Sequence, residues 1–148
     1  MSDQTTTSAP ERPDAAVMRG VIPYLGLKGR AGEAADFYGK AFAATELGRF
    51  PDAEKPDQFM HVQVEINGGC LMMTDHTADC DTAPGVLQGA HLQLVVDDGQ
   101  GWWSRAIAAG CKEIIAYERQ FWGDDWGMLE DPFGIRWAIL QPGPEPTG

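Results

Sequence analysis

The chain has 148 residues, 43% of them hydrophobic, and 11 basic against 22 acidic side chains give a formal charge of −11. This is enough for one compact core, while the acidic balance argues against a nucleic-acid backbone as partner, which needs a basic surface. No apolar run approaches the roughly 18 to 20 residues that span a bilayer, and MSDQTTTSAPERPDAAV at the start has no apolar signal segment, so no membrane partner and a cytoplasmic location are expected.

Residues 1–17, rich in Ser, Thr, Pro, Asp and Ala, read as a disordered tail, and residues 142–148 as a second. A single domain is expected over 18–141. VIPYLGL (Val21 to Leu27) reads as a strand, with Pro23 suited to an edge. In AGEAADFYGKAFAA the apolar spacing of Ala34, Phe37, Tyr38, Ala41 and Phe42 predicts an amphipathic helix. TELGRF follows as a strand, and QFMHVQVEI alternates strongly. Asn67-Gly68-Gly69 is a hairpin turn, and CLMMTD is its return strand. HTADCDTAPGVLQG is a polar connector.

The order then repeats. AHLQLVVDD is a strand, Gln100 to Ala109 is a helix stopped by Gly110, and KEIIAYERQ, WGMLEDP and GIRWAILQ are strands. Tyr38 and Trp103, Ala41 and Ala106, and Phe42 and Ile107 each lie 65 residues apart. The expected fold is therefore α+β. Two βαβββ modules, about 18–76 and 89–141, lie side by side as one curved mixed sheet with the helices on its convex face.

HVQVEI at His61 and HLQLVV at His91 share a pattern. Strand side chains alternate between faces. If Val62, Val64 and Ile66 pack under a helix, His61, Gln63 and Glu65 face the concavity. By the same rule Leu92, Leu94 and Val96 send His91, Gln93 and Val95 that way. Tyr24 and Arg136 fall on the cavity side in this register, and so do Met72 and Thr74, although a one-residue change in the hairpin loop would reverse that pair. The bland alternative is a polar face that simply meets water. Trp122 and Trp126 flank Gly123-Asp124-Asp125, a segment suited either to a lid over a planar ligand or to core or dimer packing. Asp75, Asp124 and Asp131 suit turns and caps. Arg136 suits an ion pair with Glu65 or Glu130, with an anionic ligand as the alternative. Cys70, Cys80 and Cys111 are odd in number and lack metal-site spacing, which fits free thiols in a reducing compartment.

AADFYGKAF, VIPYLGLKG, MHVQVEINGGCLMMTD and above all FWGDDWGMLEDPFGIRW resemble PhnB-like proteins. These belong to the vicinal oxygen chelate superfamily, with glyoxalase I, bleomycin-resistance proteins and extradiol dioxygenases. The resemblance spans about Pro23 to Leu140. It implies the same paired modules and commonly a homodimer. Some PhnB-like members carry a methyltransferase-related label, but no Gly-rich strand-to-helix turn supports a cofactor loop here.

Catalytic members of the superfamily hold a divalent ion with His, Gln or Glu on the opening strand of each module and on the closing strands. His91 matches one such position. Tyr24, Ala138 and either Met72 or Met73 stand at the others, and a thioether suits such ions poorly. One imidazole does not make a catalytic site. No cofactor is therefore expected, with a divalent metal at His61, Glu65 and His91 as the alternative. His76 beside Asp75 reads as a loop residue. The expected function is binding of a small organic molecule in a pocket lined by Tyr24, Gln63, Met72, Gln93, Trp122, Trp126 and Arg136. His61 or His91 would be the general base of any reaction. The alternatives are a metal-dependent lyase, isomerase or dioxygenase, and a scaffold whose pocket is filled by its own side chains.

Overall fold

The computed structural model describes residues 17–75 and 89–144. Most of the two expected tails, and the connector with His76 and Cys80, lie outside the described residues.

Module one comprises β1 (Tyr24–Gly26), α1 (Ala31–Phe42), β2 (Thr45–Pro51), β3 (Phe59–Ile66) and β4 (Gly69–Thr74). Module two comprises β5 (Leu92–Val95), α2 (Gly99–Ala109), β6 (Lys112–Arg119), β7 (Asp125–Glu130) and β8 (Arg136–Gln141). Each expected helix and strand is present. The sheet orders are β1-β4-β3-β2 and β5-β8-β7-β6. In each the opening strand runs parallel to the last, and the remaining pairings are antiparallel. β1 is an edge strand, so Pro23 costs no ladder donor; its carbonyl still accepts from the Met72 amide at 3.0 Å.

Local chemistry sets the boundaries. Asn67 (φ 53°) and Gly68 (φ 81°) both adopt the left-handed conformation of a two-residue hairpin turn. α2 starts at Asp98, whose carboxylate accepts from the Gly101 amide at 3.1 Å, and ends at Gly110 (φ 124°). α1 has no such cap from its own Arg30. Instead Asp75, beyond the end of β4, accepts from the Ala31 amide at 2.8 Å and from the Phe59 amide at 2.8 Å. The first turn of α1 is thus completed by tertiary structure, and Asp75 serves as the expected cap residue.

The sheets do not join edge to edge. They are two hydrogen-bonded units among the described residues, and the modules meet chiefly through α1 against α2. This differs from the one curved sheet that the sequence suggested, although the two α+β modules themselves are as expected. The physical reason lies in α1. Ala31, Ala34, Ala35, Tyr38, Ala41 and Phe42 are all buried, so the helix needs cover beyond its own sheet. Val62, Val64 and Met73 of module one supply one side. Trp137 of β8 supplies another, with its ring 5.4 Å from Tyr38 and 4.6 Å from Phe42. Of the two helical tryptophans, Trp103 is core and Trp102 partly buried, with the Arg105 guanidinium 4.5 Å over its ring.

A buried carboxylate crosses this junction. Asp131, 3% exposed, accepts from Tyr38 Oη at 2.7 Å and Trp137 Nε1 at 2.9 Å through one oxygen. Its other oxygen accepts from the amides of Phe133 at 2.9 Å and Ile135 at 3.0 Å. Burial pushes the carboxyl above its ordinary range, while those four donors favour the charged form. Nearby Cys111 is buried, and its thiol is pushed up to about 12 by burial and by the charge of Asp131.

Two outcomes follow. Asp131→Asn places an amide NH2 against donors it has no lone pair to satisfy. It should cost about 3 kcal/mol in urea unfolding, and Tyr38→Phe about 1 to 2 kcal/mol; an Asn variant as stable as the parent would refute the four-donor arrangement. Folded Cys111 holds its proton where an unfolded thiol, near 9, loses it. Its contribution is therefore complete below pH 9 and declines as pH rises toward 12. Unfolding midpoints from pH 8 to 11 should fall less steeply for Cys111→Ala than for the parent chain.

Candidate functional site

Pairing across the sheets fixes which side chains share a face. In module one Tyr24 stands beside Met72, Met72 beside Gln63, and Gln63 beside Gly48. Phe50 pairs with His61, and Glu65 with Cys70. In module two Gln93 pairs with Ala138 and Ala138 with Met128, while Val95 pairs with Leu140 and Leu140 with Trp126. The alternate residues of both sheets, such as Val62, Val64, Leu94 and Trp137, form the shared core. The His61 face and the Gln93 face therefore both turn away from that core.

On the first face a hydrogen-bonded row forms. Tyr24 Oη lies 2.7 Å from His61 Nδ1, and His61 Nε2 lies 3.0 Å from Gln63 Oε1. Gln63 Nε2 donates to Met18 Sδ at 3.1 Å. The His61 ring centroid is 5.5 Å from Tyr24 and 5.9 Å from Phe50. Gln63 is buried, while Tyr24 is 49% exposed and its ring opens to the outside. Met72 is half-buried beside them.

On the second face Trp126 Nε1 donates to Gln93 Oε1 at 3.3 Å. Trp122 makes an edge contact with Trp126 at 6.0 Å, and Phe121 makes one with Trp122 at 5.1 Å. The loop that carries them is anchored. Gln120 and Gly123 close a tight turn, the Gln120 side chain donates to the Trp126 carbonyl at 3.0 Å, and Asp124 accepts from the Gly143 amide at 2.8 Å. Arg136 pairs with Glu130 at 3.2 Å, the internal ion pair that sequence reasoning favoured. Asp124 and Asp131 hold turns, as expected, while the place of Asp131 at the module junction was not foreseen.

The two His-x-Gln strands thus build two clusters. His61 finds its partners within module one, and Gln93 finds Trp126 within module two. His91 is exposed just before β5. His61, Glu65 and His91 do not gather as a ligand set. Among the described residues no three of His, Cys, Asp or Glu are grouped to hold an ion.

Apart from His91, the residues at the superfamily's usual metal positions also fit an ion poorly. Ala138 is buried with no donor, Met72 offers a thioether, and Tyr24 engages His61. Both nitrogens of His61 are already occupied. Cys70 and Cys111 are buried thiols whose pKa burial raises, which leaves neither activated as a nucleophile.

Sequence reasoning missed Phe50, Met18 and Phe121. Phe50 reaches His61 only because register shifts in β2 displace its pairing, and no local signal marks those shifts. Met18 sits where the tail meets the domain. Phe121, 97% exposed, adjoins Trp122 in sequence, and the FW pair was signal enough.

Residues 28–139 match the glyoxalase/bleomycin resistance protein/dioxygenase superfamily. An uncharacterized protein of Mycobacterium tuberculosis is 39% identical over 119 residues, covering 76% of this chain and 68% of that protein. The protein YjdN of Escherichia coli is 26% identical over 148 residues, covering 84% of this chain and 97% of its own. Among solved structures, a PhnB protein from Bacillus cereus, described as a putative 3-demethylubiquinone-9 3-methyltransferase, superposes with a TM-score of 0.68. It is 16% identical and covers 83% of this chain and 99% of its own. At that identity the likeness speaks for the fold. With the paired modules and the matched span together, the chain belongs to the glyoxalase/bleomycin resistance protein/dioxygenase superfamily.

Proposed function

We propose that this chain is a PhnB-like small-molecule-binding protein of the cytoplasm that works as a homodimer. Its ligand is an organic molecule with a flat or apolar body. The pocket forms where the Tyr24-His61-Gln63-Met72 face of one subunit meets the Gln93-Trp122-Trp126 face of another, and the usual metal site is not used.

One observation carries this reading. Both faces are rich in aromatic side chains yet open in a single chain, with Tyr24 at 49%, Val95 at 52% and Trp122 at 47% exposure. Large apolar side chains gathered on an open face mark a binding surface or an interface. Each face pairs an apolar ring with a carboxamide and so supplies the few placed polar groups of a ligand site. Both faces turn away from the shared core, and a second copy would bring them together. Arg136 is neutralised by Glu130, which favours an uncharged ligand over an anion.

The test joins assembly to binding. Sedimentation at micromolar concentration should give a dimer, and ligand-observed NMR with a set of neutral aromatic fragments should give hits. Tyr24→Ala and Trp126→Ala should each weaken those hits about fivefold or more, because a lost aromatic anchor costs more than about 1 kcal/mol. A monomer that binds no fragment would sink the reading.

Metal content separates the second reading, a metal-dependent lyase, isomerase or dioxygenase. Protein purified without tag or chelator should hold no stoichiometric divalent ion, and His61→Ala and His91→Ala should not change that. About one ion per chain, lost in both variants, would move the function to metal chemistry.

A further inference from the structure

We propose that Tyr24, His61 and Gln63 form a proton relay in which Tyr24 is the catalytic group and the other two position it. The inference rests on the reading that this face receives a small molecule, and it adds a reaction class: removal of a weakly acidic proton from an otherwise apolar ligand.

The direction of the hydrogen bonds follows from donor chemistry. A thioether only accepts, so Gln63 turns its Nε2 to Met18 Sδ, 3.1 Å away. Gln63 Oε1 is thereby left facing His61 Nε2 at 3.0 Å. An amide oxygen cannot donate, so Nε2 carries the ring proton. The lone pair of a neutral imidazole then sits on Nδ1, which faces Tyr24 Oη at 2.7 Å. Tyr24 is the donor of that bond.

The consequence is chemical. A phenol that gives its own proton to an imidazole becomes the stronger base at its oxygen. Gln63 is 5% exposed and fixed by the strand pairing of β3, so it holds one tautomer in place, as an orienting group does for a catalytic histidine. Tyr24 is the outermost of the three, on the short edge strand β1, where a ligand on this face meets it first. The ring of Phe50 lies beside His61, and the half-buried Met72 lies beside Tyr24. In the step itself the ligand's proton passes to Tyr24 Oη as the Tyr24 proton passes to His61 Nδ1. The electron pair stays on the ligand, and the imidazolium is held through its Nε2–H by Gln63. Release of that proton to water resets the relay. No oxidant, reductant or metal enters.

The probe is 5-nitrobenzisoxazole, a flat apolar carbon acid. Loss of its C–H proton breaks the N–O bond and leaves a nitrile and a phenolate. Binding is read separately with 6-nitrobenzotriazole, which does not react. The parent protein should accelerate the elimination, and Tyr24→Phe should lower the rate about 100-fold while the benzotriazole still binds. Nitrogen NMR of His61 should show the Nε2–H tautomer, and Gln63→Met should let the two tautomers mix. Unchanged elimination in Tyr24→Phe, or binding without any elimination, overturns the relay and leaves the ligand reading intact. If the benzotriazole does not bind, the ligand reading is what fails, and the tautomer then decides the relay. Nε2–H supports it and Nδ1–H overturns it.

Discussion

The Asp131 carboxylate is the constraint on which the junction between modules depends. One of its oxygens holds Tyr38 from α1 and Trp137 from β8, and the other holds the turn between β7 and β8. A buried carboxylate is tolerated only where its lone pairs are met. Here the donors come from both modules, so meeting them fixes where module one sits on module two. The apolar contacts agree with that geometry. Phe37 and Tyr38 meet Phe133, Phe42 meets Trp137, and the Arg105 side chain donates to the Ala41 carbonyl at 3.0 Å.

From this junction the character of the outer faces follows. Alternation in a strand leaves no choice: a residue is in the core or on the opposite face. Once Val62 and Trp137 are committed to the helix side, His61, Gln63, Gln93 and Ala138 are committed to the other. Polar groups there find partners within their own module, and aromatic rings there remain open. The modules join through their helices, and the proposed pocket calls for a second copy.

The chemistry of the faces is unequal. Module one offers a hydrogen-bonded row that includes a phenol, an imidazole and a carboxamide. Module two offers indole rings, a carboxamide and an ion pair already neutralised. Of the superfamily's metal positions only His91 keeps a usual ligand, while Tyr24 engages His61 and Met72 and Ala138 offer a thioether and a methyl group. Under the proposed function these faces receive an uncharged body, with Tyr24 as the reactive contact of the proposed relay.

Much of this was determined locally. The alternation of MHVQVEI and HLQLVV, the Asn67-Gly68 turn, Gly110 after α2 and the buried faces of both helices are short-range signals, and they sufficed for the two βαβββ modules and for the faces of His61, Gln63, Met72 and Gln93. Residue identity also fixed the poor metal donors. Tertiary structure alone decided the rest. Which carboxylate caps α1, which donors share Asp131 and which ring reaches His61 all depend on residues distant in sequence. Register shifts in β2 moved Phe50, and helix packing set the two His-x-Gln strands in separate clusters. Periodicity tells a side chain which face it takes, but only packing between elements decides what that face will meet.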